Sequence, residues 1–337
     1  KIKEDIFNFI VRNSRQPDLL RDDLYAKISV LNLGSLQLKE LIKRYGKDEL
    51  KACFSDLLKE SKDAFENLIE ENIKDGEWKV KKAIAPGHFE GKNHIALTLL
   101  KSGKKLTLNF IGSSGQSEGP INCPLSGNGM KFITRLLTPF LLQLESNSEQ
   151  RNNIRVNDGA CKIFDIELPE TKSIVTPDFP APTSLRLLTI SSIISGFNEL
   201  LFKASSGKTR VGFENLNTFS LFTEYKEKRS SLFRESIGSG TGASFNSDGV
   251  SSVLPLSGTG RISIEITENR YPLQIIREEL RVDSGGHGKF RGGLGITKEY
   301  LLKQDSLMSL ARNNYKTSTS GKLGGYNGYL SEQSITK

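Results

Sequence analysis

The hydrophobic period of this chain changes once, sharply, at Asp75-Gly76, and that switch constrains the fold more than any other feature. Before it, Leu20, Leu24, Ile28 and Leu31 recur at helical spacing, continued after Gly34 by Leu38, Leu41, Ile42 and Tyr45. Gly46 breaks the pattern, and Leu50, Phe54, Leu57, Leu58, Phe65, Leu68 and Ile69 form a second stripe, with Cys53 beside it as a core residue. Two long amphipathic helices joined near Gly46 make a helical hairpin whose apolar stripe must pack on something. A coiled-coil dimer is the competing arrangement, but the pattern is short and irregular for sustained heptads.

Beyond Gly76 apolar residues alternate instead: Trp78, Val80 and Ile84, then Ile95, Leu97 and Leu99, then Leu106, Leu108 and Phe110. Pro86-Gly87 and Ser102-Gly103 are turn signals between them, so three strands form an antiparallel meander. Helices are expected over 127–144 and 185–202, and strands over 219–225, 262–267, 275–282 and 296–302. The fold class is α+β: an N-terminal helical hairpin (1–75), then a mixed, largely antiparallel sheet region with packed helices (76–337).

Composition excludes several functions. The formal charge of +8 invites a nucleic-acid reading, but the basic clusters at Lys79–Lys82 and Lys101–Lys105 lie on alternating, exposed strand faces. No recognition helix, zinc finger or aromatic RNA-binding motif accompanies them, so no nucleic-acid partner is expected. No apolar run is long enough to span a bilayer, and no membrane partner is expected either. Three scattered cysteines without a Cys-x-x-Cys pair fit a cytoplasmic protein. His88 and His94 are six residues apart, not at the helical spacing of a metal pair, and no metal ligand is assigned. The first residue is Lys1 rather than Met, so the chain reads as an internal fragment or partial product.

The chemistry concentrates in two glycine-rich stretches, Gly238–Gly242 and Asp283–Gly295. Six of the thirteen residues in the second are glycine, which demands positive φ or a backbone pressed against something else. A tight structural turn and a loop presenting a site both satisfy that demand. Gly238, Gly240 and Gly242 match neither a phosphate loop nor a dinucleotide-binding turn, since the lysine of the first and the glycine spacing of the second are missing. Glu235, just before the first stretch, can act as a general base, ligate a metal or anchor the loop. Asp283 carries the same alternatives. Arg291, beside Gly292 and Gly293, can clamp an anion or pair with one of those acids. Asn122, between two prolines, can hold a substrate carbonyl or its own backbone. The candidate catalytic residues are therefore Glu235, Asp283 and Arg291. Asn122 and the glycines at 238, 240, 242, 292 and 293 are the candidate substrate contacts.

Several of these segments, in this order, resemble the hydantoinase B/oxoprolinase family: Gly119-Pro-Ile-Asn-Cys-Pro124, Arg155-Val-Asn-Asp-Gly159, Glu235-Ser-Ile-Gly-Ser-Gly-Thr-Gly-Ala243, Glu268 to Pro272, and Asp283 to Gly295. With the helical stretch from Asn13 to Tyr45, the resemblance runs from about Arg12 to Tyr300. It implies part of an ATP-dependent hydrolase that opens a cyclic amide, a hydantoin or 5-oxoproline, after phosphoryl activation by a hydantoinase A-type partner. ATP and magnesium would belong to that partner, and a divalent metal to an N-terminal region outside these residues. The large subunit of an acetone- or acetophenone-type carboxylase, or a non-catalytic assembly fragment, is the alternative. The chain departs from the family at Leu254-Pro-Leu-Ser-Gly-Thr-Gly260, where a histidine-bearing stretch is common.

Overall fold

The computed structural model describes residues 2–14, 16–84, 93–212, 217–225, 229–253, 261–312 and 318–336. Three helices lead: α1 (Glu4–Arg12), α2 (Pro17–Tyr45) and α3 (Lys47–Asn72). Pro17 opens α2, where its missing N–H has no role. Gly46, at φ 84°, separates α2 from α3. The two helices meet at that corner as the sequence predicts, yet their stripes do not cover each other, and every residue from 29 to 49 is exposed. Cys53, expected in a core, is exposed for the same reason. Only the C-terminal half of α3 is buried, through Phe65, Leu68 and Ile69.

The expected meander is present as β1 (Gly76–Ala83), β2 (His94–Ser102) and β3 (Lys105–Asn109). A fourth strand, β4 (Phe164–Glu167), joins β3 in parallel and makes the sheet mixed, in the order β1-β2-β3-β4. Between them α4 (Asn128–Leu137) passes into a 3₁₀ segment, Thr138–Leu144, at Pro139, and α5 (Ser148–Asn153) follows. The helix α6 (Arg186–Ala204) lies across β1 and β2, with fourteen of its nineteen residues buried. Gly196 permits this seat, because a Cβ there would stand 2.4 Å from Leu97 Cδ1. Contrary to the sequence reading, α6 has the length and hydropathy of a short membrane span, but 78% of that window is buried inside the protein. The result is one large side-chain core joining α3, α6, the sheet and the α4 region, so it runs across residue 75.

The second half is built differently. β5 (Asn217–Tyr225), β6 (Arg229–Ile237) and β9 (Ser306–Arg312) form a sheet in the order β6-β5-β9, and β7 (Leu273–Leu280) pairs with β8 (Ile296–Leu302). A small cluster of Phe219, Leu221, Phe233 and Leu273 draws on both sheets. The strand expected over 262–267 is instead the helix α7 (Ile264–Arg270). Ser263 caps it by accepting a hydrogen bond from the Ile266 N–H, and this local cap overrides the alternation of three isoleucines. The Pro86-Gly87 turn, His88 and the departure at 254–260 lie outside the described residues.

Candidate functional site

The glycine stretches form a layer of extended backbone. Ser239 and Val253 exchange both N–H···O bonds, Thr241 N–H donates to Val250 O, and Gly293 N–H donates to Thr241 O at 2.8 Å. Gly249 N–H reaches Arg291 O, and Gly242 N–H reaches Val211 O. The C-terminal segment adds Tyr326 N–H to His287 O and Tyr329 N–H to Ser284 O. A Cβ on Gly240 would lie 1.8 Å from Gly293 O, one on Gly293 2.1 Å from Val250 O, and one on Gly285 2.1 Å from Gly292 O. None of these glycines has positive φ. Of the two reasons the sequence allowed, close backbone approach is the operative one. The residue that does take positive φ is Asp283, at 56°.

This layer walls a cleft of ≈ 1500 Å³, open to solvent, whose other lining includes Phe219, Phe245, Phe290, Met308, Tyr326 and Tyr329. The five candidate glycines, 238, 240, 242, 292 and 293, all line it. Lys298 and Tyr300, on β8, line it too, and Glu235 lies against both. Strand alternation puts Phe233, Glu235 and Ile237 on one face of β6, turning the Glu235 carboxylate toward β8. Lys298 Nζ stands 2.6 Å from Glu235 Oε1 and 2.9 Å from Glu278 Oε2. Tyr300 donates its hydroxyl to Glu235 Oε2 at 2.5 Å, and its ring stacks on Phe219 with centroids 4.7 Å apart. Arg261 completes the network by pairing with Glu278 and donating to Ser252 Oγ.

The electrostatics follow from burial. The Lys298 side chain is 4% exposed and that of Glu235 7%, so each ion stands on the other's compensation. Burial, reinforced by the Glu235 carboxylate, pushes the Tyr300 phenol far above its ordinary range. Burial works against the Glu278 carboxylate, but hydrogen bonds from Lys298 and Arg261 outweigh it and hold its pKa low. Both Glu235 oxygens are thus occupied, one by Lys298 and one by Tyr300. Sequence reasoning named Glu235 but missed Lys298, Tyr300 and Glu278. The available signal was a lysine on the same alternating face as Ile296, Tyr300 and Leu302.

Asp283 and Arg291 are exposed and do not line the cleft, although each neighbours a lining residue, Ser284 and Gly292. Their loop is closed by Ser284, whose hydroxyl accepts from Gly295 N–H and donates to Arg281 O, and by Gly292 N–H bonded to Gly286 O. Arg291 N–H donates to Asp248 Oδ1. Asn122 sits elsewhere, fully buried under the first core. Its Oδ1 accepts from Ser117 N–H and its Nδ2 donates to the carbonyls of Ser117, Gly119 and Pro182. Its side chain holds its own backbone, the second of its two alternatives. Cys123 is buried, and burial pushes its thiol up to about 12. His94 is held by Ser114 Oγ and Gly112 O. Among the described residues no three His, Cys, Asp or Glu side chains converge in a ligand set.

Comparison with known proteins places this architecture. The family model described as hydantoinase B/oxoprolinase matches residues 1–336. The chain belongs to this family. It is 26% identical over 98% of its length to the B-type subunit of a putative D-/L-hydantoinase from a Pseudomonas species, covering 56% of that protein. It is 22% identical over 97% of its length to the acetophenone carboxylase delta subunit of Aromatoleum aromaticum, covering 48% of that chain. The ATP-dependent caprolactamase structure from Pseudomonas jessenii shares the fold, with a TM-score of 0.78 over 98% of this chain at 19% identity. The chain spans about half the length of these curated relatives, and 60% of the caprolactamase chain. Family relatives include proteins described as caprolactamase and 5-oxoprolinase.

Proposed function

We propose that this chain serves as a B-type component of an ATP-dependent hydrolase that opens a cyclic amide, with the glycine-walled cleft as the place where the ring is held. The observation that carries this reading is the cleft itself, built by segments that fall within a family match spanning residues 1–336. A hydantoinase A-type partner would supply ATP, magnesium and phosphoryl activation of the ring carbonyl. This chain's residues would bind the ring, exclude water and orient polar groups. Phe219, Phe290 and Met308 offer apolar surface to a small ring, and the glycine backbones let it approach without side-chain interference. Lys298 and Tyr300, fixed by Glu235, would present an N–H and a phenolic oxygen at the wall. Asp283 and Arg291, exposed beside the cleft, are proposed to meet the activated species or the partner. A divalent metal would belong, as the family resemblance implies, to an N-terminal region outside these residues.

The competing reading is an ATP-dependent ketone carboxylase, favoured by the carboxylase relative. Coexpression of this chain, joined to the N-terminal region of a B-type protein, with an A-type partner distinguishes them. Ring opening of hydantoin or 5-oxoproline that requires ATP and not bicarbonate supports the proposal. Bicarbonate-dependent carboxylation of acetone or acetophenone replaces it with the competitor, and neither activity overturns both.

A further inference from the structure

Two arginines, Arg210 and Arg151, come together where the halves meet. Arg210 follows α6, and its backbone N–H donates to Gln143 Oε1 at 3.0 Å. Arg151, on α5, donates from Nε to Glu145 O at 3.1 Å and from Nη2 to Ser146 O at 3.5 Å. Both are therefore tied to one short stretch, 143–146, where the 3₁₀ segment ends. The Arg210 guanidinium is held at its far end too. Its Nη2 donates to Ser247 Oγ at 2.8 Å, and Ser247 Oγ is braced by Ser244 Oγ at 2.7 Å. Those serines lie between Gly242 and Gly249, so this side chain bridges the first half to the glycine layer.

Neither arginine has an acid. Among the described residues no carboxylate forms an ion pair with Arg210 or Arg151. Two acids on the segments they touch are engaged elsewhere: Asp248 Oδ1 accepts from Arg291 N–H, and Glu145 Oε1 accepts from Asn147 N–H. Glu149, two residues before Arg151 on α5, faces another side of the helix. Burial disfavours the Arg210 charge, and the neighbouring charge that acts on it, Arg151, disfavours it further, so its pKa is lowered from the ordinary value. Ser247 is the protein partner of the Arg210 guanidinium, which leaves most of its N–H donors uncommitted. A half-buried cation with a like charge beside it and donors to spare is stabilised by an anion placed between the two.

We propose that Arg210 and Arg151 form a binding site for a phosphate-class oxyanion. Two guanidiniums match a doubly charged tetrahedral anion better than a singly charged planar carboxylate, and each planar fork can take a pair of its oxygens. Free phosphate and the phosphoryl group of a monoester share that chemistry. Neither arginine lines the glycine-walled cleft, and the inference is independent of the reading of the cleft.

Isothermal titration of the purified chain with inorganic phosphate, against chloride of equal ionic strength, tests it. Saturable binding with a Kd of about 1 mM or tighter is expected, and acetate should not compete. Arg210→Gln should weaken binding by about 10-fold or more, and Arg210→Lys, which keeps the charge and loses the fork, should recover part of it. Arg151→Gln changes an exposed residue, leaves the fold intact and should weaken binding as well. Thermal melting separates binding from a structural tie: phosphate should raise the Tm of the parent chain and leave that of Arg210→Gln unmoved. Phenyl phosphate distinguishes the two sources, since affinity equal to that of phosphate marks a site for a phosphoryl group still on its carrier, and lost affinity marks one for the free ion. Absence of saturable heat up to about 20 mM phosphate overturns the proposal. So does phosphate binding that survives both glutamine variants, which would place the anion elsewhere, or an Arg210→Gln chain that melts lower yet binds phosphate as the parent does.

Discussion

The two halves of this molecule reach order by opposite means. In the first, α6, the four-stranded sheet and the end of α3 interdigitate large side chains, with Phe65, Phe110 and Phe197 among those fully buried. In the second, the side-chain cluster has four buried members among the described residues, and backbones stack where side chains are missing. A side-chain core gains its stability from apolar area removed from water and tolerates conservative swaps. A glycine layer gains it from hydrogen bonds between peptide groups, and there a single methyl collides with a carbonyl. The consequence for the cleft is a wall of close-packed backbone whose shape does not depend on rotamers.

The largest effect that would break this comparison falls on the buried charge network in the second half. Lys298→Ala strands Glu235 in an apolar setting and should cost about 3–5 kcal/mol by denaturant titration. Unfolding of the second half before the first, seen as two transitions, would sharpen the contrast. Phe197→Ala in the first half should cost a similar ~3–5 kcal/mol, but in the transition that reports the side-chain core. Next comes Gly240→Ala, whose added methyl meets Gly293 O at 1.8 Å and should cost about 1–3 kcal/mol. The same change at exposed Gly34, inside a helix, should instead stabilise by up to ~1 kcal/mol.

Acid titration probes a tie between the halves. Glu199 on α6 pairs with Lys82 on β1 at 2.7 Å and with Lys322 of the C-terminal segment at 3.1 Å. Burial would raise its pKa from 4.5, but the two lysines more than offset it and bring the carboxyl down to about 2. The folded pKa is depressed, so the stabilisation is complete above the unfolded value and is lost as pH falls from about 4.5 toward 2. The shift is worth about 3 kcal/mol. Glu199→Gln should flatten the stability profile across that window, and an unchanged slope would show that the tie contributes nothing. The smallest effect on stability belongs to Arg291→Lys, expected within about 0.5 kcal/mol because the side chain is exposed. In the assembled enzyme the same variant should lower turnover, as lysine cannot reproduce a planar fork. Unchanged kinetics would remove Arg291 from the proposed site.

The sequence disclosed what local pattern controls. Alternation in Leu97, Leu99, Leu106 and Leu108 located the meander, and Gly46 located the helix break. It did not disclose β4, a four-residue strand whose parallel pairing with β3 joins residues as far apart in sequence as Leu106 and Phe164. It misread 262–267 because Ser263 is a cap only if the chain turns there. Glycine density marked the cleft walls, but the reason for the glycines lay in partners such as Val250 and Gly293, far along the chain. Glu235 stood out beside its loop, whereas Lys298, 63 residues later, looked like one more strand lysine until the fold brought the two together.

Amide hydrogen exchange tests the central claim, that the glycine stretches are a backbone-packed layer and not mobile loops. The N–H groups of Ser239, Thr241, Gly242, Gly249 and Gly293 all donate to backbone carbonyls of other segments. They should exchange as slowly as the β5–β6 ladder beside them and open with it in one cooperative unit. Exchange at the rate of an unstructured loop, while the ladder stays protected, would contradict the account.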